Sequence, residues 1–297
     1  MAQNHNHTNE QINYNKAFAF GITLNVIYVV IECVFGLLIN SMALLADAGH
    51  NLSDVLGLLL AWGASYLART SITTKRTYGL RKSTILAAFF NAIILLIAVG
   101  AISIEAVRKI IYPEPIQGTT MMIVAGIGVV INTLTALLFF KGKENDINIK
   151  GAFLHMAADA GISIGVVCTG LLITLTNWLW LDPAISLIIV LVITTGTWGL
   201  LKESFMLSMD AAPYKVNVNH VREYLKSLPF VKDIHDLHIW GMSTTETALT
   251  AHLVVEKFPT DNQLVETINT KLERDFGIEH PTIQFELNSE SDSCCKC

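Results

Sequence analysis

The chain has 297 residues, of which 52% are hydrophobic and 15% are charged. The charged fraction is well below the roughly 25% of globular domains, and the mean hydropathy is +0.48, so an ordinary soluble protein is excluded. The net charge of −5 excludes the strongly basic surface that nucleic-acid binding requires.

The first segment, residues 1–16, is polar and lacks the short apolar core of a signal peptide. The next segment, 17–205, contains apolar stretches that are long enough to cross a membrane, and it predicts a domain of six transmembrane helices. The six predicted spans are about 17–39, 41–67, 83–107, 119–140, 149–174 and 178–201. The first of them contains the ionisable residue Glu32.

Lysine and arginine are concentrated in two of the loops that connect these spans. The loop between spans two and three holds Arg69, Lys75, Arg76, Arg81 and Lys82. The loop between spans four and five holds Lys141, Lys143 and Lys150. The positive-inside rule therefore places both termini in the cytoplasm. Because the second of these loops has no His-rich insertion, we expect the cytoplasmic (inner) membrane of a bacterium.

The second and fifth spans each contain the pattern His-x-x-x-Asp, as His50 with Asp54 and as His155 with Asp159. Residues four positions apart share one face of a helix, so each pattern directs an imidazole and a carboxylate to one place. If the two helices face each other, two nitrogens and two oxygens form a tetrahedral set that zinc accepts. Ionisable groups are costly at membrane depth, which favours a functional role.

Simpler interpretations of these polar residues stay open. Each pair can form a hydrogen bond that only packs two helices, although two copies with the same spacing favour a metal site. Asp47 lies about one helical turn before His50. It is either an accessory carboxylate at the site or a buried carboxylate that packs helices.

Residues 206–288 have the composition of a soluble domain. A helix, two strands, a second helix that ends at Gly277 and a third strand are predicted in the order α-β-β-α-β. This order predicts a small ferredoxin-like α+β domain. The last segment, 289–297, is a tail that contains Cys294, Cys295 and Cys297. These cysteines form no disulfide framework, and they indicate a reducing compartment or a metal site.

The six spans, the repeated motif and the C-terminal domain together resemble the cation diffusion facilitator family, over about residues 17–287. The segments that are similar to its zinc-transporting branch are SMALLADAGHNLSDV, HMAADAGISIGVV and HDLHIW. The resemblance implies a homodimer that exports zinc in exchange for protons by alternating access. The transport site that it implies consists of His50, Asp54, His155 and Asp159.

The resemblance also bears on the loop between spans two and three. In this family a Lys at the start of the third span pairs with an Asp just after the sixth and holds the dimer together, and Lys82 and Asp210 occupy these positions. The alternative is two solvated charges, since exposed ion pairs contribute little. Some relatives bind a metal in this loop through Asp and His, but TTKRTYGLRKS has neither, so we expect no metal there.

A cytoplasmic metal site is implied by three residues that match family ligands, namely His235, His252 and Glu286. Gln284 and Val265 stand where some relatives have His, so we do not expect a complete two-metal site. Strand alternation places His252 and Glu286 on the polar face, but on the first strand it fits His238 better than His235. A β-bulge in that strand, or an early position of His235 at the mouth of the strand, would remove this conflict. We follow the resemblance for His235 and keep His238 as a structural or supporting candidate.

The tail cysteines are candidate ligands of the same site, since thiolates bind zinc well. An inert tail is the alternative. His5 and His7 are candidates for reaching a neighbouring subunit, and His280 is a candidate extra ligand. We expect His220 to be a solvated residue on a helix surface.

Zinc is therefore expected as the transported substrate and as a ligand of the cytoplasmic domain, with Cd²⁺ or Co²⁺ as further substrates. Binding requires neutral imidazoles and ionised carboxylates, so zinc and protons compete for the site. No nucleotide-binding motif is present, and we expect no enzymatic activity. A metal-gated channel or metal-sensing receptor is the alternative, and an intramembrane metallo-enzyme is a more remote one, because four protein ligands leave no open position.

Overall fold

A computed structural model describes residues 14–68, 73–140, 147–258 and 262–287. Several residues that the sequence analysis singled out lie outside these described residues. They are His5, His7, Arg69, Lys141, Lys143, Cys294, Cys295 and Cys297.

Six long helices occupy the first two thirds of the chain. They are α1 (Tyr14–Leu38), α2 (Met42–Ala68), α3 (Ser83–Ile111), α4 (Gly118–Phe140), α5 (Ile147–Thr176) and α6 (Leu181–Ser208). Within the described ranges, four helical stretches are long and apolar enough to cross a membrane, namely Ser83–Ile111, Gly118–Leu138, Phe153–Thr176 and Leu181–Ser208. Thr23–Leu38 in α1 is a shorter apolar stretch. The second helix carries Asp47, His50 and Asp54, which lower its hydropathy.

The described chain divides into two compact units. The first comprises residues 14–56, 95–140 and 147–195. Its apolar core is made by side chains from all six long helices, including Ala43, Val99, Val124, Val166 and Ile189. Close van der Waals packing of these side chains holds the helices against one another.

The start of α2 is fixed by a carboxylate from another helix of the first unit. Asp182, in the first turn of α6, accepts hydrogen bonds from the Ser41 hydroxyl (2.5 Å) and from the backbone N–H groups of Met42 (2.7 Å) and Ala43 (3.1 Å). These N–H groups have no partner within α2, since they belong to its first turn. The buried Lys109 ammonium donates to the Asn40 carbonyl (2.7 Å) just before α2. The N-terminus of α2 is therefore held by polar contacts inside the unit.

The second unit comprises residues 57–68, 73–94, 196–258 and 262–287. Beyond α6 it contains α7 (Val218–Lys226), β1 (Val231–Gly241), β2 (Thr247–Val255), α8 (Asn262–Phe276) and β3 (His280–Glu286). The predicted order α-β-β-α-β is thus confirmed. Asn217 caps α7 by accepting from the N–H groups of Asn219 and His220, and Gly277 ends α8 with a φ of 65°.

The three strands form one sheet in the order β1-β2-β3. β1 and β2 are antiparallel, while β2 and β3 are parallel. One face of the sheet packs with α7 and α8 around a core that includes Val221, Leu225, Leu249, Leu253 and Leu272. Polar residues of the strands lie on the opposite face of the sheet, where a binding site can form.

A β-bulge interrupts β1 between His235 and His238, where the register against β2 shifts. Asp236 lies inside the bulge and has a φ of 48°, in the left-handed region that Asp tolerates better than most residues. The bulge pairs His235 with His252 across the strands. It thus places on one face two histidines that simple alternation would separate.

Candidate metal centres

The four residues of the repeated motif come together within the first unit. His50 and Asp54 lie on α2, and His155 and Asp159 lie on α5. His50 Nε2 is 3.3 Å from Asp159 Oδ1, and His155 Nε2 is 3.1 Å from Asp54 Oδ2. Each imidazole is therefore closer to the carboxylate of the other helix than to the one on its own helix, for which the distances are 3.9 and 3.7 Å.

The donor atoms of this cluster suit a cation. Asp159 is 1% exposed and His155 is 42% exposed, so the cluster has a buried side and an accessible side. Asp54 Oδ2 and Asp159 Oδ2 are buried and, although each lies near His155 Nε2, neither forms a hydrogen bond among the described residues. Buried carboxylate oxygens require compensation, and a divalent cation supplies it. The two nitrogens and two carboxylates are a ligand set that fits zinc.

A second group of buried polar residues lies next to this cluster in the first unit. Glu32 on α1 accepts hydrogen bonds from the Tyr28 hydroxyl and from the Asn51 amide (3.1 Å), and Asp47 accepts one from the Ser163 hydroxyl (3.2 Å). All five side chains are fully buried. A Cβ added to Gly128 would lie 2.0 Å from the Tyr28 hydroxyl, so only glycine leaves room for this tyrosine.

The contacts of this group bear on the two interpretations of Asp47 that the sequence left open. Asp47 is fully buried and accepts a hydrogen bond from Ser163 of α5, next to the helical segments that carry the four residues of the repeated motif. Sequence analysis recorded Glu32 and Asp47 separately but missed their partners Tyr28, Asn51 and Ser163. The charge of Glu32 within an apolar span was the available signal.

Lys82 and Asp210 form an ion pair within one chain. Lys82 Nζ lies 2.5 Å from Asp210 Oδ1 in the second unit. The two side chains are 49% and 61% exposed. Asp210 follows α6 with a φ of 60°. The pair therefore connects the loop before α3 to the chain that follows α6.

A cluster on the polar face of the sheet consists of His235, Asp236, His252 and Glu286. His235 Nε2 is 3.0 Å from Glu286 Oε2, and His252 Nδ1 is 2.9 Å from Glu286 Oε1. Asp236 brings Oδ2 to 3.7 Å from His235 Nδ1 and to 3.9 Å from His252 Nδ1. Although His252 Nδ1 is this close to Glu286, it is buried without a hydrogen bond among the described residues. The four side chains therefore converge in a way that suits a metal ion.

Asp236 is the member of this cluster that sequence analysis missed. Only its position between two histidine candidates, in HDLH, could have indicated it. Its carboxylate reaches the cluster because the bulge rotates the strand locally. Gln284 lies opposite His252 and donates to Glu286 Oε1 at 2.9 Å, so it supports that carboxylate.

The remaining histidine candidates lie outside both clusters. His238 is exposed and pairs with Thr250. His280 Nε2 lies 2.8 Å from Arg81 Nη1, a contact that requires a neutral imidazole as acceptor. His220 is exposed on α7. The structure therefore separates these three side chains from the converging ligands.

Two family descriptions match this chain. The cation efflux transmembrane domain matches residues 19–207, and the cytoplasmic domain of cation efflux proteins matches residues 213–288. The first match alone covers more than half of the chain, and the two together contain both clusters.

Curated relatives are similar over nearly the whole length. The cation efflux system protein CzcD of Alcaligenes sp. is 33% identical over 97% of this chain and 91% of its own. The cadmium, cobalt and zinc/H⁺–K⁺ antiporter of Bacillus subtilis is 33% identical over 99% and 95%. The zinc transporter ZitB of Escherichia coli is 34% identical over 96% and 93%. These matches, together with the long apolar helices, show an integral membrane protein of the cation efflux, or cation diffusion facilitator, family, whose members are transporters and not enzymes.

Proposed function

We propose that this protein is a zinc/proton antiporter that exports Zn²⁺ from the cytoplasm. The observation that carries the proposal is the convergence of His50, Asp54, His155 and Asp159 from two helices. A borderline metal such as zinc suits a set of two imidazoles and two carboxylates. The names of the relatives, which include cadmium and cobalt beside zinc, support Cd²⁺ and Co²⁺ as further substrates.

The exchange of zinc for protons follows from the chemistry of the ligands. Zinc binds neutral imidazoles and ionised carboxylates, so each bound ion displaces protons. When the site faces a cytosol near neutral pH, zinc competes well for these ligands. When it faces a compartment of higher proton activity, protons compete better and release zinc. Free imidazole has a pKa of about 6.5, which lies in the range where this exchange is effective.

The membrane topology belongs to the same proposal. We assign six spans to α1–α6, with both termini in the cytoplasm of a bacterium and the transporter in its inner membrane. The polar residues of α2 face other helices in the first unit, which accounts for a spanning helix of lower hydropathy. Following the family, we assign the helix-and-sheet domain to the ferredoxin-like type and to the cytoplasm.

The cluster on the sheet, which we assign to the cytoplasm, and the homodimer complete the proposal. His235, His252 and Glu286, with Asp236, would hold a zinc ion that reports the cytosolic zinc concentration. Binding shifts the protein towards the state that holds zinc more tightly, as any ligand does. Homodimerisation is supported by the match to the family's cytoplasmic domain. The Lys82–Asp210 pair would then stabilise the region from which the dimer is built.

The experiment is zinc flux into proteoliposomes with an imposed pH difference. The wild type is expected to move zinc against protons, with a rate that rises with the pH difference. Asp159→Ala removes a buried anionic ligand and is expected to abolish the flux, while Asp275→Ala, at an exposed residue of α8, serves as the matched control. Flux that is insensitive to the pH difference would indicate a channel, and normal flux in Asp159→Ala would refute the site.

A further inference from the structure

A cleft with a volume of about 380 Å³ lies in the second unit and shares no lining residue with either cluster. Its wall is the loop from Lys75 to Ser83, together with Leu86 in the first turn of α3. Trp240 and Met242, at the end of β1, close the other side. The cleft therefore lies where the apolar stretch of α3 begins.

The cleft has a strong positive charge. Its lining includes Lys75, Arg76, Arg81 and Lys82 and no aspartate or glutamate. Arg81 and Lys82 already form ion pairs, Arg81 with Glu246 at 2.9 Å and Lys82 with Asp210 at 2.5 Å. Within the described part of the chain, Lys75 and Arg76 form no ion pair. Two cations of the cleft are thus left to attract an anion.

An apolar strip leads away from the cleft along α3. Leu86, Phe90 and Ile94 are spaced four residues apart and lie on one face of the helix. Their side chains are 46, 56 and 56% exposed. Leu86 belongs both to the strip and to the lining of the cleft. A basic cleft is therefore continuous with an exposed apolar surface on a membrane-spanning helix.

We propose that the cleft binds the phosphate of an anionic phospholipid, with its acyl chain along Leu86, Phe90 and Ile94. The guanidinium of Arg76 forms paired hydrogen bonds with phosphate oxygens, and the ammonium of Lys75 adds charge. Basic pockets at the cytoplasmic ends of membrane helices recognise lipid headgroups through the same chemistry. Trp240 suits the boundary between headgroup and water, where indoles are favoured.

The bound lipid has a structural consequence within the second unit. The same loop contacts the sheet domain through Arg81 and Glu246, and the Thr244 N–H donates to the Thr84 hydroxyl at 3.1 Å. A phosphate held by Lys75 and Arg76 reduces the repulsion among the four cations of this loop. The lipid therefore stabilises the loop in the conformation that contacts the sheet domain. This proposal is independent of the proposed transport mechanism.

The test uses the purified full-length protein in detergent and measures its melting temperature as lipid is added. Phosphatidylglycerol is expected to raise the melting temperature, whereas phosphatidylcholine and inorganic phosphate are expected to raise it much less. Lys75→Gln/Arg76→Gln is expected to raise the half-saturating phosphatidylglycerol concentration about 30-fold. Each cation near an anionic lipid strengthens binding about fivefold, and the two factors multiply. The effect in the wild type is also expected to weaken with added salt.

The matched control is Lys215→Gln/Arg222→Gln, which removes the same two charges from exposed positions of the second unit outside the cleft. It is expected to respond to phosphatidylglycerol as the wild type does. A double cleft variant that keeps the wild-type response would overturn the proposal, as would a wild-type response that ignores salt. Equal stabilisation by inorganic phosphate alone would show a phosphate-ion site and refute the lipid.

Discussion

At the scale of single residues, His50 is the proposed transport-site ligand on which we expect metal selectivity to depend most. His50→Asp keeps four ligands but replaces a nitrogen donor by a harder oxygen donor. The variant is therefore expected to gain transport of harder or larger ions such as manganese or cadmium relative to zinc. Competition of these metals against zinc flux measures the change, with the exposed His238→Asp as control. An unchanged ranking of metals in His50→Asp would place selectivity elsewhere.

A second prediction at this scale concerns the backbone at Asp236, whose φ of 48° is unfavourable for β-branched residues. Asp236→Val is expected to lose about 1–3 kcal/mol of stability or to remove the bulge. Removal of the bulge would move His235 from the face that carries His252 and Glu286, and a strained backbone would disturb the same face, so zinc binding by this domain is expected to weaken strongly. Asp236→Gly tolerates the backbone and should lose only the carboxylate. Calorimetry with zinc compares the two variants, and equal binding by both would contradict the role of the bulge.

The bulge is also a place where a prediction from the pattern of residues along a strand fails. Alternation along β1 predicts His238 on the polar face, and the structure instead pairs His235 with His252. Alternation assumes one residue opposite one residue, and the left-handed backbone at Asp236 breaks that assumption. The resemblance to the family indicated His235, but local physics alone could not, since Asp adopts this conformation only occasionally and the sequence does not show at which positions.

At the scale of secondary-structure elements, Asp182 is expected to stabilise α2 although it lies on α6. It accepts three hydrogen bonds at the N-terminus of α2. Asp182→Ala leaves these buried donors unpaired, and losing a cap costs about 0.5–2 kcal/mol. The melting temperature and zinc flux should both fall, while Asp182→Asn should retain part of each. A wild-type melting temperature in Asp182→Ala would show that the cap is dispensable.

Elements differ in how well the sequence predicted them. The two His-x-x-x-Asp motifs predicted the same-face pairs of α2 and α5, because a four-residue spacing fixes a face of a helix. The spacing did not determine that each imidazole lies closer to the carboxylate of the other helix. It also could not reveal that Tyr28 and Asn51 both donate to Glu32, since contacts between helices depend on packing angles.

At the scale of the whole molecule, the two candidate metal clusters occupy different compact units. Donors can therefore be removed from one cluster while the donors of the other are kept. The last prediction concerns the tail. The four proposed transport ligands lie on α2 and α5, and the cluster on the sheet has four candidate donors before residue 288. Fixing a backbone residue costs about 1–2 kcal/mol, so tail thiolates must offset several such costs before they add affinity. Truncation after Ser289 should therefore preserve zinc flux and change mainly the zinc affinity of the cytoplasmic domain. Flux and calorimetry on the truncated protein measure both, and loss of flux as complete as in Asp159→Ala would make the tail part of the transport machinery.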